Sequence, residues 1–434
     1  MSTADQFVSW FRQSSPYIHS HRGKTFVLMI PGDGVAHPNF SNIIHDIALL
    51  NSLGVRLVLV HGMRPQIEAE LSARGIKPQF HGNVRITTDD ALPCVIRAAG
   101  QLRIAIEAEL SMGLANSPMH GARIRVSSGN FVVAKPIGVH EGVDFCHTGA
   151  VRRVDIDTIQ RQLDCGDIVL LSPLGYSPSG EVFNLLMEEL ASTVATRLHA
   201  EKIIALGDKK GALDTDGSLI RELTTQHRMT PQEAAKQSLL KACLSACNAG
   251  VRRGHLISYQ EDGALLQELF TRDGAGTLIN QGDYDQVRSA TIDDIGGILE
   301  IIQPLEEDGT LVRRSRELLE TELDKFTLIE RDGMITACAA LYPYADQPIA
   351  EVACVAVHRE YRKSQRGELL LSHLEKQARV QGIEKLFVLT TRTAHWFKEK
   401  GFKSASLEDL PEQKKSLYNY QRSAQVFIKD LASK

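Results

Sequence analysis

Two apolar runs near the start of the chain, 24–30 and 55–60, are each followed by a glycine turn, Pro31-Gly-Asp-Gly34 and His61-Gly62. Between them lies a stretch at 40–52 with helical spacing, closed by Gly54. Apolar runs without alternation read as strands buried on both faces. Two such strands joined through one helix lie parallel with a right-handed crossover. The alternation continues through strands at 124–126, 131–134, 168–171, 202–206 and 255–257 and helices at 91–112, 185–199 and 231–249. It predicts a parallel-sheet α/β domain.

The pattern breaks in a polar, glycine-containing segment at 276–285, and a new strand-then-helix unit opens at Val287. We therefore expect one domain over 1–282, a linker at 283–286 and a second domain over 287–434. Strands at 326–331 and 334–342 joined by an Asp332-Gly333 turn, a strand at 349–357, a helix at 367–380 and a strand at 386–389 make the second half α+β. The chain has 434 residues and a formal charge of -4, from 49 Lys and Arg against 53 Asp and Glu. That balance offers no basic face, so nucleic acid is not an expected partner and small molecules are.

No apolar run approaches the roughly 18 residues of a membrane span, and the N-terminal stretch lacks the apolar core of a signal peptide. The expectation is a cytoplasmic chain without membrane contact. The seven cysteines are scattered without paired CxxC spacing and read as reduced thiols. Cys243 and Cys247 share a helical face but lack histidine partners, so they read as packing residues and no metal is expected.

In the second domain a strand, Glu351-Val-Ala-Cys-Val-Ala-Val357, runs into a basic turn with Arg362, Lys363 and Arg366, and then into a helix near Gly367. The amides and macrodipole of a helix start favour an anion such as a pyrophosphate. Leu370, Leu371, Leu374 and Ala378 mark the face that anchors this helix. This order, followed by Ile383-Glu-Lys-Leu-Phe-Val-Leu-Thr390 and Trp396-Phe-Lys-Glu-Lys-Gly-Phe402, resembles the Gcn5-related N-acetyltransferase (GNAT) family. The resemblance implies acetyl-CoA between two splayed parallel strands. Its pyrophosphate would lie on the turn Arg362, Lys363, Gln365, Arg366, Gly367 and Glu368, its pantetheine along Cys354, Val355 and Val357. Gln365 stands where the family's loop has its middle glycine.

Four further segments, 304–309, 311–317, 351–357 and 410–423, together resemble the bacterial N-acetylglutamate synthase family. That implies acetylation of the α-amine of L-glutamate, the first step of arginine biosynthesis. A dicarboxylate needs cationic clamps, and Arg314 and Arg422 are the candidates, with Arg313 and Arg316 as rivals. The ammonium must lose a proton before attack, and Glu351 matches the family position for the base. The backbone N–H near Cys354 suits the oxyanion, and Cys354 lines the glutamate pocket rather than carrying the acetyl group. Thr390 matches a hydroxyl position of the family and is the candidate acid, with Tyr418 and Tyr420 competing.

The first domain resembles the amino-acid kinase fold of acetylglutamate kinases, through His61-Gly62, Gly82-Asn-Val-Arg-Ile-Thr87, Ser128-Gly-Asn-Phe131, 149–155 and Asn184-Leu-Leu. Three kinase features are lost. Met29 replaces the lysine of the first strand, Met63-Arg-Pro65 replaces a glycine run, and Leu185-Leu-Met187 replaces the acidic magnesium position. Neither ATP nor phosphoryl transfer is expected. The stretch 265–278 resembles the arginine site of arginine-sensitive kinases, which implies L-arginine as effector. Glu268 would take the guanidinium, with Tyr17, Arg272, Gly274 and Gly276 around it. A helix C-cap and loop explains the same spacing. An N-terminal helix over about 1–20, with Phe7, Trp10, Phe11 and Tyr17 on an apolar stripe, implies by resemblance an interface in a homo-oligomer, a hexamer. Three alternatives stay open: an acetyltransferase for another amine, an acetylglutamate kinase with an appended sensor, and a non-enzymatic arginine-binding protein.

Overall fold

The computed structural model describes residues 3–431 apart from 114–116, 118, 215, 228, 230–236, 272, 282–285, 332–333, 362–365 and 417–423. The chain divides into two compact units, Met1–Gly282 and Asp283–Lys434.

In the first unit an eight-stranded sheet has the order Glu222–Thr224, Thr277–Asn280, Arg253–Ser258, Lys202–Gly207, Thr25–Ile30, Arg56–His61, Ile168–Leu171 and Val126–Ser127. The six strands from Arg253–Ser258 to Val126–Ser127 run parallel. Val27 and Met29 pack with Val58, Val60 and residues of helices Met187–Arg197 and Ser238–Asn248. Phe26 and Leu28 pack with Leu57, Leu59 and helix Phe40–Ser52. Burial on both faces is why these runs show no alternation.

The expected helices and strands of this unit form, the last helix being described as Ser238–Asn248 while 231–236 lie outside the described residues, but the sheet is not wholly parallel. Thr277–Asn280 runs antiparallel to Arg253–Ser258. A separate four-stranded sheet, Val182–Asn184, Leu174–Tyr176, Val132–Pro136 and Gly149–Val154, was not foreseen beyond its third strand. Its short strands are diluted by glycines that packing demands. A Cβ on Gly149 would lie 2.7 Å from the Phe183 Cβ, and one on Gly175 would lie 2.6 Å from that of Ala134. Helix Thr3–His21 carries exposed Phe7, Trp10 and Phe11. It docks through His21, whose Nε2 lies 2.8 Å from the Leu269 carbonyl.

The second unit holds a seven-stranded sheet in the order Gln286–Ser289, Phe326–Arg331, Met334–Pro343, Ile349–Val357, Lys385–Thr390, Gln425–Asp430 and Lys403–Ala405. One neighbouring pair is parallel, Ile349–Val357 with Lys385–Thr390. Helix Arg366–Val380 buries Leu370, Leu371, Leu374 and Ala378 against Ala350, Val352, Leu386 and Val388. Helices Ile295–Glu307 and Arg316–Thr321 bring Ile298, Ile302 and Leu319 against Leu328, Ala340, Cys354 and Ala356. Arg288 ties the edge strand to the start of helix Ile295–Glu307, with both terminal nitrogens 2.7 Å from Asp294 and Nε 2.6 Å from Glu330. The two C-terminal strands were not anticipated, because each carries too short an apolar run to stand out.

Candidate active site

The site is built on a strand that loses its parallel neighbour partway along. Ile349, Ala350 and Glu351 pair with Lys385, Leu386 and Phe387, and the parallel pairing ends there. On the other side the register shifts. Ala340 faces Ala353 and Cys338 faces Ala356, so Cys354 and Val355 have no ladder partner of their own. Cys354 adopts φ +50°, a left-handed conformation that costs a non-glycine residue roughly 1 kcal/mol. The resulting bulge resets the alternation of the strand. Cys354 and Ala356 join the core beneath helices Ile295–Glu307 and Arg316–Thr321, while Val355 and Val357 pack with the core under helix Arg366–Val380.

Glu351 is 7% exposed. Lys414 Nζ, from the short helix Glu412–Ser416, lies 2.6 Å from its Oε2. The Tyr344 hydroxyl also hydrogen-bonds the carboxylate, and burial beside that charge pushes the phenol well above its usual range. Tyr342 stands opposite Glu351 across the antiparallel pair, within side-chain reach. Its hydroxyl donates to Glu322 Oε2 at 2.6 Å and hydrogen-bonds Arg314.

The Arg314 backbone N–H donates to Glu306 at 2.9 Å, which fixes its segment. Burial opposes the guanidinium charge, but Cys354, Tyr342 and Glu322 around it outweigh that and raise its pKa. Arg313 is exposed, and Arg316 pairs with Glu320 on its own helix at 3.0 Å. Of the three, Arg314 is the one engaged with Tyr342. Burial pushes the Cys354 thiol up to about 11, leaving it neutral near pH 7. That disfavours a thiolate acyl carrier.

At the other end of the strand, Arg366 opens the helix, buried, with its guanidinium 4.3 Å from the centre of the Tyr361 ring. A Cβ on Gly367 would lie 3.2 Å from Trp396 Cζ2, so glycine lets the helix start pack on the indole. Glu368 turns away to an ion pair with Lys400 at 2.8 Å. Thr390, buried at its strand end, accepts from the Thr393 amide at 3.0 Å and shares a 2.8 Å hydroxyl contact with Thr393 Oγ1. It thereby caps the turn into helix Ala394–Glu399. Arg362, Lys363, Gln365, Arg422, Tyr418 and Tyr420 lie outside the described residues.

In the first unit Met29 is wholly buried in the core. A cavity of about 930 Å³ remains, lined by Gly32, Met63, Arg64, Arg85, Leu185 and Met187 among others. Glu268 is also buried, and its surroundings differ from the sequence reading. Its carboxylate accepts from the amides of Ala275 and Gly276 at 2.6 and 2.8 Å and contacts His255 Nδ1 at 2.6 Å. Gly274, at φ +62°, would place a Cβ 2.5 Å from Glu268, and one on Gly276 would run into the Leu256 carbonyl. These glycines let the loop close on Glu268 itself.

Burial opposes the Glu268 charge, but His255 and the two amides hold its pKa near about 2. Burial and Lys202 push His255 down to about 4, so it is neutral at pH 7. Its Nδ1–H then donates to Glu268, and Nε2 accepts from Lys202 Nζ at 3.2 Å. Lys202 and His255 escaped the sequence reading, although a lysine and a histidine in buried strands are the kind of signal that marks such a network. Tyr17 packs on His21 beside this region, with ring centres 6.3 Å apart. Arg272 lies outside the described residues. Among the described residues no group of three metal-binding side chains converges, and no helix is long and apolar enough to cross a membrane.

A parting pair of parallel strands with a buried carboxylate at the fork has the layout of an acyltransferase, here attached to a kinase-like unit that lacks the first-strand lysine. Comparison with known proteins agrees. Residues 24–258 match the amino acid kinase family and residues 297–402 the acetyltransferase (GNAT) family. Curated relatives include an amino-acid acetyltransferase of Ectopseudomonas mendocina, 57% identical with 98% of this chain and 99% of the relative covered. Another, of Pseudomonas aeruginosa, is 58% identical with the same coverage. Among solved structures, N-acetylglutamate synthase of Neisseria gonorrhoeae complexed with coenzyme A and L-arginine matches with a TM-score of 0.89 at 36% identity, over 98% of this chain and all of that one. The same enzyme complexed with coenzyme A and N-acetyl-glutamate matches with a TM-score of 0.62 at 37% identity over the same coverage. The chain belongs to the amino-acid acetyltransferase family and is an amino-acid N-acetyltransferase.

Proposed function

We propose that the chain transfers the acetyl group of acetyl-CoA to the α-amine of L-glutamate, releasing N-acetyl-L-glutamate and CoA, and that L-arginine bound to the first unit inhibits it. The observation that carries the reading is Glu351, a buried carboxylate at the parting of two parallel strands with Arg314 and Tyr342 alongside. Glutamate brings an ammonium for the carboxylate and two carboxylates for cations. The ligands of the Neisseria structures, coenzyme A with N-acetyl-glutamate or with L-arginine, support the same assignment.

Glu351 takes a proton from the substrate ammonium, and the free amine attacks the thioester carbonyl. The N–H groups at the Cys354 bulge, without ladder partners, serve the oxyanion. Arg314, and Arg422 from the C-terminal segment, hold the substrate carboxylates, while Cys354 forms pocket wall. Acetyl-CoA runs along Val355 and Val357 with its pyrophosphate at the start of helix Arg366–Val380, served by Arg362, Lys363, Gln365, Arg366, Gly367 and Glu368. The departing CoA thiolate takes its proton from the Thr390 hydroxyl, whose oxygen also accepts from the Thr393 amide.

In the first unit, residues 1–282, arginine's guanidinium competes for Glu268 in the loop of Gly274 and Gly276, and Tyr17 and Arg272 are the further residues assigned to the effector. The exposed aromatics of helix Thr3–His21 serve a contact between copies in a cytoplasmic homo-oligomer. Thiol release from acetyl-CoA, followed with a chromogenic reagent, tests the proposal. Release should depend on L-glutamate and fall when L-arginine is added. Release driven equally by other amino acids would remove the glutamate assignment, and insensitivity to arginine would remove the regulatory one.

A further inference from the structure

The ammonium on Glu351 belongs to Lys414, a residue with no part in the reaction described above. Its side chain is 22% exposed and that of Glu351 10% exposed, so the pair is largely shielded from water. Glu351 therefore already holds a cation in the place where the substrate amine must come. The neighbouring lysine, Lys415, is occupied elsewhere, 2.7 Å from Glu412. Across the strand pair Tyr342 stands opposite Glu351 and hydrogen-bonds Arg314, and Tyr344 completes the surroundings of the carboxylate.

An amino acid carries its α-carboxylate one carbon away from its ammonium. When the ammonium docks on Glu351, that carboxylate arrives beside Lys414. One ion pair is then replaced by two, and no buried charge is left without a partner, which is the condition that makes such an exchange affordable in a shielded site. Lysine suits the part, because a compact charge on a flexible stem can move from one carboxylate to another. Arg314, held on the Tyr342 side, is left to the distal carboxylate.

We propose that Lys414 is a specificity-determining residue of the acceptor site, exchanging Glu351 for the α-carboxylate of the incoming amino acid. This rests on the reading of Glu351 as the carboxylate that receives the amine. Lys414 thus selects a free α-carboxylate, while Arg314 selects the side-chain carboxylate. The same residue keeps the empty site electrically paired.

The test compares three acceptors in the thiol-release assay with the full-length protein: L-glutamate, its α-amide isoglutamine and its side-chain amide glutamine. Wild-type protein should prefer glutamate to both. In Lys414→Met the kcat/KM preference over isoglutamine should fall about tenfold or more, while the preference over glutamine persists. Lys414→Arg should keep both preferences and guards against a folding defect in the first variant. A merely structural lysine would leave the two ratios unchanged. An unaltered preference over isoglutamine in Lys414→Met, or a wild-type protein indifferent to α-amidation, overturns the proposal. Should Glu351→Gln turn over like wild type while Lys414→Met still loses the α-selectivity, the base assignment falls and the α-carboxylate site stands.

Discussion

Glu351 and Phe387 are the last partners of the parallel ladder in the acetyltransferase sheet, and Tyr344 packs at a tilt on Phe387 with ring centres 5.8 Å apart while hydrogen-bonding Glu351. The carboxylate is thus held at the fork by a tyrosine that itself packs on the neighbouring parallel strand. Glu351→Gln should lower turnover about 100-fold or more at pH 7, the ordinary contribution of a positioned base. The deficit should shrink as pH rises and more of the substrate amine is free. A pH–rate profile decides it, and wild-type turnover at pH 7 would end the assignment.

Arg314→Ala should raise the KM for glutamate by roughly 10- to 100-fold, as expected for loss of a charged hydrogen-bonding partner, and leave that for acetyl-CoA nearly unchanged. Arg313→Ala, at an exposed position, serves as the control. Equal changes in the two constants would rule out the clamp.

The secondary structure around these two residues shows where sequence reading succeeds. Strand Ile349–Val357 and helix Phe40–Ser52 form over the residues that the apolar spacing marks. Glu351 was singled out because a motif fixed its place, and Arg314 was already preferred to Arg313 and Arg316; what the fold adds is Tyr342, opposite Glu351 and hydrogen-bonded to Arg314. The bulge at Cys354 is invisible in sequence, since a left-handed cysteine looks like any strand residue. Lys414 lay in a recognised segment, but its partner is 63 positions away along the chain and meets it only after folding.

Glu268→Gln should leave thiol release without arginine close to wild type and shift the arginine titration to higher concentration by tenfold or more, the order expected for loss of a charge-assisted pair. His255 and the loop amides already serve that carboxylate, so arginine must displace or join them. An unshifted titration would move the effector site away from Glu268.

His21, His61 and His255 are buried in the first unit, and burial lowers each to about 4 from an ordinary value near 6.5. The unfolded chain therefore binds more protons between those limits, and stability falls as pH drops from about 6.5 towards 4. Each can contribute up to about 3 kcal/mol over that window. Asp46, raised by burial to about 7, acts in the opposite direction, but it is one group against three. Melting followed calorimetrically should show the first unit losing Tm between pH 7 and pH 5, and an unchanged Tm would contradict the neutral burial of these histidines.

Thr390→Val removes an oxygen that accepts from the Thr393 amide and should cost about 1 kcal/mol of stability, the usual net worth of one hydrogen bond, while Thr390→Ser preserves it. If turnover in the valine variant collapses with its melting curve intact, Thr390 donates the proton to the departing thiolate.

The bulge at Cys354 has a consequence for how such an enzyme changes over time. By turning Cys354 inward on one side and Val355 and Val357 on the other, it separates the surface proposed to receive the amino acid from what lies towards helix Arg366–Val380. Substitutions among Arg314, Tyr342 and Lys414 can then alter the accepted amino acid without disturbing the opposite surface of the strand. A family built on this strand is free to diversify its acceptors while inheriting a single way of holding the donor.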